Sequence, residues 1–320
     1  MSKPRVAFYW AASCGGCEIA VLNIGERILQ LAEAVEIVFW PAAMDFKYDD
    51  VRAMDDGHID LCLFNGAIRT SENEEMANLL RQKSKVLAAY GSCAHEGCIP
   101  GLANAKRRGD ILYRAYEETE STLNPDKVYP QTSTEVPEGE LELPEFYETV
   151  KTLGQVVDVD YYIPGCPPVE EQTWAFFEMV LGGSLPEKGS VVGAGEKIVC
   201  DECPLEKDEK KITGFVRPHM IEPEPDKCLL EQGIFCAGIA TRSGCGAQCP
   251  SVGMPCRGCY GPPPEVIDQG AKIVSALGSV IDSQDPEEVR RIMGQIPFPL
   301  GTFYRFGMAH SILRRRTEDE

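Results

Sequence analysis

Apolar residues in the first part of the chain follow two periods that alternate along the sequence. Short continuous apolar runs are typical of strands buried on both faces, and five of them are predicted strands: residues 5–10, 35–40, 59–64, 85–90 and 156–163. Apolar residues at helical spacing predict helices over residues 18–33, 72–82 and 169–181. Strands that alternate with helices predict a parallel sheet covered on both faces, and a flavodoxin-like doubly wound α/β sheet is the simplest fold of this kind.

The pattern changes after a glycine-rich stretch at residues 182–195, GGSLPEKGSVVGAG, which ends the preceding helical pattern. Residues 200–259 are rich in Gly and Pro, and apolar periodicity is almost absent there. We therefore predict a flavodoxin-like domain over residues 1–185 and a largely irregular domain over residues 186–320. The second domain lacks the apolar periodicity expected of an independent core.

Composition and charge narrow the class of protein. Of the 320 residues, 43% are hydrophobic and 25% charged, an ordinary globular composition that excludes a disordered or collagen-like chain. No run approaches the roughly 20 apolar residues of a membrane span, and the N-terminus enters a strand-like run without a signal peptide or twin arginine. We expect a cytoplasmic protein. Its net charge of −19 disfavours nucleic acid and anionic lipid as partners.

Fourteen cysteines in a reducing compartment indicate metal binding rather than disulfides. Cys14 and Cys17 follow the first predicted strand, Cys93 follows the fourth, and Cys166 follows the fifth. Because ligand sites of open α/β sheets form outside the carboxyl ends of the strands, these four thiols are predicted to converge. Neighbouring glycines would let the backbone approach a bulky cluster. Four thiolates suit a 4Fe-4S cluster, or less well a structural zinc ion.

The two other cysteines of this domain have simpler interpretations. Cys62 lies inside a predicted strand, where a free cysteine commonly behaves as a small buried hydrophobe. Cys98 follows Cys93 by five residues and competes with it for the ligand role. We favour Cys93 as the ligand, because it is closer to the strand end where the other thiols gather.

The eight remaining cysteines form two groups by spacing. The first has a C-x2-C pair and two separate cysteines, whereas the second is a compact run of four. Two zinc ribbons would use the same eight cysteines. Three features favour iron–sulfur clusters over zinc. They are the Cys249–Pro250 pair, the Gly/Ser-rich surroundings and the total of three four-thiol groups in the chain. The first group is Cys200, Cys203, Cys228 and Cys236, and the second is Cys245, Cys249, Cys256 and Cys259.

These motifs together resemble one known family. CGGCE after the first strand, GSC after the fourth and GCPP before a helix are similar to the small subunit of nickel–iron hydrogenases. The C-terminal order, ending in PCRGCYGP, resembles the cytoplasmic branch, and most closely the coenzyme F420-non-reducing hydrogenase gamma subunit. The resemblance implies proximal 4Fe-4S ligands Cys14, Cys17, Cys93 and Cys166, medial ligands Cys245, Cys249, Cys256 and Cys259, and distal ligands Cys200, Cys203, Cys228 and Cys236.

The same resemblance implies a function. The chain would be the electron-transfer subunit of a cytoplasmic hydrogenase, linked to heterodisulfide reductase and to methanogenesis. It would relay electrons from hydrogen oxidation at the nickel–iron site of a large subunit through three 4Fe-4S clusters to a delta-type iron–sulfur acceptor subunit. Many respiratory members have a histidine where this chain has Cys200, and a medial proline where this chain has a fourth thiol. The medial cluster is therefore expected to be 4Fe-4S.

The motifs that are missing also bear on function. None of the four histidines follows a cysteine pair as a nickel-site motif requires, so the chain is not expected to activate hydrogen itself. Glu18 is either a proton relay or a carboxylate that stabilises a helix N-terminus. Residues 117–148 are predicted to be an acidic insertion, and we favour a solvated loop over a docking surface. The alternatives in function are an F420-reducing hydrogenase small subunit and a zinc-stabilised structural module.

Overall fold

The computed structural model describes residues 3–208 and 211–313. Its strands are β1 (Arg5–Trp10), β2 (Glu36–Phe39), β3 (Ile59–Asn65), β4 (Ile68–Thr70), β5 (Ser84–Tyr90), β6 (Ser133–Val136), β7 (Gly139–Glu142), β8 (Phe146–Lys151) and β9 (Tyr161–Ile163). Its α-helices are α1 (Gly16–Leu22), α2 (Arg27–Ala34), α3 (Tyr48–Arg52), α4 (Ser71–Lys83), α5 (Ser92–Glu96), α6 (Cys98–Gly101), α7 (Arg108–Tyr113), α8 (Glu170–Gly182), α9 (Val199–Glu202), α10 (Gln248–Ser251), α11 (Gln269–Val280), α12 (Pro286–Met293) and α13 (Pro299–Phe303). Among these described residues, no helix is long and apolar enough to cross a membrane.

The central sheet confirms the predicted doubly wound α/β fold. Its strand order is β2-β1-β3-β5-β9, and every neighbouring pair is parallel. The chain moves to one side of the sheet after β1 and to the other side after β3, so the loops that follow these two strands diverge and leave a crevice at the carboxyl edge. The cysteine-bearing loops predicted for the sheet domain all follow strands of this sheet.

Alternate residues of each strand enter two separate cores, as period-2 geometry requires. Val6 and Phe8 of β1 pack on one face against helices α1, α2 and α8. Ala7 and Tyr9 pack on the other face, where α3 and α4 cover the sheet. Because both faces are buried, the strands are continuous apolar runs in the sequence.

Two predicted elements differ from the structure in extent. The helix predicted over residues 18–33 is divided into α1 and α2, because Gly25 adopts a φ of +66° between them. The strand predicted over residues 156–163 shortens to β9. Val156, Val157 and Val159 precede it and pack against the second core without pairing in the sheet, so their apolar character reflects burial rather than strand pairing.

The acidic insertion is a solvated segment for most of its length. Strands β6 and β7 form a two-stranded antiparallel hairpin, and nearly all of their residues are exposed. The segment rejoins the body of the protein at β8, which pairs antiparallel with β4. The glutamates of the hairpin therefore lie in water, in agreement with the solvated-loop interpretation, whereas Glu117 is largely covered and pairs with Lys127.

The C-terminal part contains a core that the sequence pattern did not predict. Helices α11, α12 and α13 contribute Ile273, Leu277, Ile292 and Phe303 to one apolar cluster. Ile212 and other residues of irregular segments complete this cluster. The prediction that this part lacks the apolar periodicity of a core was wrong, because α11 and α12, which follow the irregular stretch at residues 200–259, carry apolar residues at helical spacing.

Polar contacts join the C-terminal part to the sheet domain. The Tyr260 hydroxyl donates to Gln172 Oε1 at 2.8 Å, and the Gln155 amide donates to the Ala309 carbonyl at 3.0 Å. An added Cβ at Gly97 would lie 2.3 Å from the Ala309 side chain, so the two parts approach each other too closely there for any other residue. The boundary at residues 185/186 remains a prediction.

Asp160 fixes the edge strand β9 to its surroundings. Its carboxylate accepts hydrogen bonds from Arg81 at 2.6 Å and from the Leu87 backbone N–H of β5 at 2.8 Å, and it pairs with Lys188 at 2.5 Å. Burial opposes ionisation of this carboxyl, but the bonds from Arg81 and Lys188 outweigh it and lower the pKa of Asp160.

Replacement of Asp160 by asparagine should lower the free energy of unfolding by about 1–3 kcal/mol at neutral pH, because charge-assisted bonds are lost. Since the folded pKa is depressed, this stabilisation is present above the ordinary aspartate pKa of about 3.9 and disappears as the pH falls through the folded value. Urea unfolding of the anaerobic protein at pH 7 measures the effect. Asp158→Asn is the matched control, because Asp158 is exposed; equal midpoints for the two variants would contradict the assignment.

Candidate metal centres

The carboxyl edge of the sheet brings together the four thiols predicted there. Cys14 and Cys17 lie in the turn after β1 and the start of α1, Cys93 lies in α5 after β5, and Cys166 follows β9. Left-handed backbone at Gly15 and Gly91, with φ of +81° and +88°, forms the turns. A Cβ at Gly91 would lie 2.3 Å from Cys17 Sγ, so only glycine leaves room for this thiol.

The electrostatics of this proximal group favour a bound cation. Burial raises the pKa of Cys17, and the neighbouring thiols of Cys93, Cys166 and Cys14 raise it further. Several thiolates cannot be charged together in a buried site without positive charge beside them. A metal centre supplies that charge, and coordinated thiols are deprotonated.

Cys98 is a fifth thiol of the proximal group. It is fully buried, and its Sγ donates to Cys166 Sγ at 3.9 Å. Hydrogen bonds to Cys166 and Cys93 raise the pKa of Cys98, and the same contact lowers the pKa of Cys166 to about 7. The structure therefore places Cys98 in contact with two of the predicted ligands, and both alternatives of the sequence analysis lie at this site.

Cys62 lies apart from the thiol groups. It is fully buried in β3, and it packs in the second core against apolar neighbours. Burial raises its pKa to about 12. It is thus a neutral small side chain of the core, as the sequence pattern predicted.

The compact C-terminal group also converges. Burial raises the pKa of Cys259 to about 12, with further contributions from Cys166, Cys245 and Cys249. Burial also raises the pKa of Cys256, and Cys259 is among the thiols that add to this effect. The Cys245 thiol and the backbone N–H of Ala247 both donate to Glu202 Oε1, at 3.6 and 3.2 Å. Ala247 adopts a φ of +49° to reach this position.

The remaining four thiols line one cavity. Cys200, Cys203, Cys228 and Cys236 surround it with Val199, Leu205, Leu229, Leu230 and Ile239. The pKa of Cys236 is raised, first by burial and then by the neighbouring Cys228 and Cys203. Most of the other lining side chains are apolar, and Lys207 also lines the cavity.

The donor chemistry of the three groups fits iron–sulfur ligation. Each group offers at least four thiols, and backbone N–H groups donate to sulfur, as from Gly16 to Cys14 at 3.4 Å and from Cys256 to Cys236 at 3.3 Å. Within residues 3–208 and 211–313, no three His, Cys, Asp or Glu side chains are close enough to hold a single metal ion.

The medial group touches both of the others. Cys259 packs beside Cys93 and Cys98, and the Ser92 hydroxyl donates to the Cys259 carbonyl. On the opposite side, the backbone N–H of Cys256 donates to Cys236 Sγ. The three groups therefore form one continuous series across the boundary between the two parts of the chain.

Glu18 is a buried carboxyl beside the proximal group. It accepts hydrogen bonds from Trp40 Nε1 and Asn65 Nδ2. Burial raises its pKa, although these two bonds act in the opposite direction. The sequence did not reveal Trp40 and Asn65 as its partners, since both lie at the ends of neighbouring strands far along the chain. Its role as a relay remains a prediction.

Comparison with known proteins agrees with the geometry. A family model described as NADH ubiquinone oxidoreductase, 20 Kd subunit, matches residues 14–180. The iron–sulfur subunit of the F420-non-reducing hydrogenase of Archaeoglobus profundus is 39% identical over 318 residues, covering 98% of each chain. The corresponding subunit of the F420-non-reducing hydrogenase of Methanothermobacter thermautotrophicus is 35% identical over 329 residues, covering 99% of this chain and 98% of that one.

A solved structure, the NAD+-reducing NiFe-hydrogenase in its H2-reduced state, contains a chain of similar fold. The TM-score is 0.50 and the identity 33%, over 58% of this chain and 94% of that chain. Fold and cysteine pattern thus define the class of nickel–iron hydrogenase small subunits. Within that class, the chain belongs to the family of iron–sulfur subunits of F420-non-reducing hydrogenases. It is a hydrogenase subunit that does not carry the hydrogen-activating site.

Removal of single thiols should distinguish the roles of Cys93 and Cys98. We expect Cys93→Ala to lose about four iron atoms, the content of one 4Fe-4S cluster, and Cys98→Ala to keep them. Iron analysis and EPR spectra of the anaerobic complex measure the iron content and the clusters of both variants. Cys62→Ala is the control for loss of a buried thiol: it should keep all iron and lower stability by about 1–2 kcal/mol. Loss of iron in Cys98→Ala would assign a ligand role to Cys98.

Proposed function

We propose that this chain relays electrons from hydrogen oxidation at the nickel–iron site of a large subunit, through three 4Fe-4S clusters, to an acceptor subunit. The proximal ligands would be Cys14, Cys17, Cys93 and Cys166, the medial ligands Cys245, Cys249, Cys256 and Cys259, and the distal ligands Cys200, Cys203, Cys228 and Cys236. Such clusters, when bound, supply one-electron carriers.

The observation that carries this proposal is the contact of the medial thiols with both other groups. Cys259 packs beside Cys93, and the backbone N–H of Cys256 donates to Cys236 Sγ. Structural zinc sites have no need to lie in contact, whereas electron carriers must be close neighbours. The series therefore favours electron transfer over a zinc-stabilised structural module.

The chain's own residues prepare these sites in three ways. Glycine turns such as Gly91 leave space beside the thiols, and backbone N–H groups donate to sulfur. Apolar side chains such as Val199 and Phe306 pack beside the cysteines and keep water away. Hydrogen bonding to sulfur and solvent exposure are the terms by which proteins set cluster potentials, so these residues would also influence the potentials of clusters held there.

The partners follow from the same proposal. The acceptor would be a delta-type iron–sulfur subunit, with heterodisulfide reductase as the further partner, in the cytoplasm. The full-length relatives are named as parts of F420-non-reducing hydrogenases, which favours this assignment over an F420-reducing enzyme.

The anaerobically purified complex should contain about twelve iron atoms in this chain, since twelve grouped thiols hold three clusters of four. Metal analysis and Mössbauer spectra of the iron-57 protein measure the count and the cluster type. A majority of zinc, or a 3Fe-4S signature before any oxidation, would contradict the proposal.

Cys200→Ser should separate the two activities of the complex. If electrons leave the chain from the distal cluster to the acceptor subunit, the rate of acceptor reduction by hydrogen should fall at least tenfold. The rate of hydrogen–deuterium exchange, which needs only the large subunit's site, should stay near the wild-type rate. Both rates are measured on the same purified complex. Equal loss of both rates, with the other two clusters intact, would show that electrons do not leave the chain from this group.

A further inference from the structure

Three arginines converge on one cavity of the C-terminal part, although the chain as a whole carries a net charge of −19. Arg217, Arg257 and Arg305 line this cavity of about 350 Å³, and no aspartate or glutamate is among its lining residues. Its other walls are largely aromatic and proline residues, including Phe215, Phe235 and Phe298. We call this space the arginine cavity.

The three guanidinium groups have no internal counter-charge. In the part of the chain that the structure describes, none of them forms an ion pair or side-chain hydrogen bond, whereas Arg81 and Arg290 are paired with acidic residues. Burial and the neighbouring charge of Arg257 lower the pKa of Arg305. Like charges gathered in one concave site repel each other, so an anionic group from outside the chain would relieve this repulsion.

The arginine cavity lies beside two of the thiol groups. Its wall residues Val216 and Ile234 belong to the apolar cluster that packs against Cys203. Phe235 directly precedes Cys236, and Pro255 directly precedes Cys256. A molecule seated in this cavity would therefore be adjacent to both the distal and the medial groups.

The form of the cavity favours a protein partner over a small anion. Arg217 and Arg257 are exposed, Arg305 is half-buried, and the Phe298 side chain is 64% exposed at the rim. Small-molecule sites enclose most of the ligand, and this site does not. Exposed arginine combined with aromatic residues is typical of the energetically important part of protein interfaces.

We propose that the arginine cavity docks an acidic segment of the electron-accepting subunit, whose carboxylates pair with Arg217, Arg257 and Arg305. The inference rests on the proposed function and adds the place and the chemistry of docking. A chain with a net charge of −19 repels an acidic partner over much of its surface, so docking at this basic cavity also favours one orientation. That orientation holds the acceptor next to the distal thiols.

Charge reversal at Arg217 tests the proposal. In the purified hydrogenase complex, Arg217→Glu should lower kcat/KM for hydrogen-dependent reduction of the acceptor subunit by about tenfold at low salt, mainly through KM. The difference should shrink at high salt, because screening weakens exposed charge pairs. The kcat/KM of Arg217→Gln should lie between those of the wild type and Arg217→Glu. Arg290→Glu is the matched control, since Arg290 is an exposed arginine of the same domain outside the cavity, and it should stay within about twofold.

A second experiment distinguishes an acidic protein segment from a small anion as the occupant of the arginine cavity. A deca-glutamate peptide should inhibit acceptor reduction by the wild-type complex at low salt and should inhibit the Arg217→Glu complex much less. Inorganic phosphate at the same total charge should inhibit weakly. Equal effects of phosphate and peptide would indicate a small-anion site and would overturn the docking proposal.

The controls keep the inference separate from the proposed function. Iron content and hydrogen–deuterium exchange should be unchanged in every variant, which excludes misfolding. If the wild-type complex exchanges hydrogen but never reduces the acceptor, the proposed function itself fails, and the inference fails with it. If the wild type reduces the acceptor and Arg217→Glu behaves like Arg290→Glu, only the docking proposal is overturned.

Discussion

Buried thiolates that stand close together repel one another, and this repulsion governs how the cysteine sites are built. Neighbouring thiols raise the pKa of Cys17, Cys236 and Cys259, one in each group. Of the twelve grouped thiols, three are buried, six are half-buried and three are exposed. Without bound positive charge they are more stable as neutral thiols, so the sites suit a cationic inorganic centre. Glycine turns and backbone N–H groups serve the same end, because they let sulfur approach and supply partial positive charge beside it.

The fold meets this requirement in two different ways. In the sheet domain, the parallel strands deliver cysteines from distant parts of the sequence to one carboxyl edge, where the switch in strand order opens a crevice. In the C-terminal part, short helices and irregular segments surround the thiols, and an apolar core of their own stabilises them. Cys259, packed beside Cys93, and Cys256, bonded to Cys236, join the two arrangements.

Local sequence patterns were sufficient to predict the parallel sheet and the strands that its cysteines follow. Continuous apolar runs reveal buried parallel strands because both of their faces are covered, and cysteines that follow such strands must meet at the carboxyl edge. The burial of Cys62 followed from its place inside a strand for the same reason. Each of these patterns can be recognised in a short window of sequence.

Features that join distant segments of the chain could be seen only in three dimensions. The partners of Glu18, the contact of Cys98 with Cys166 and the arginine cavity each bring together residues far apart in sequence, and no local period marks them. The division of the predicted helix at Gly25 was also hidden, because apolar spacing continues across a residue whose backbone turns left-handed. Periodicity records which side of an element is buried, whereas the path of the chain in space decides what that side is buried against.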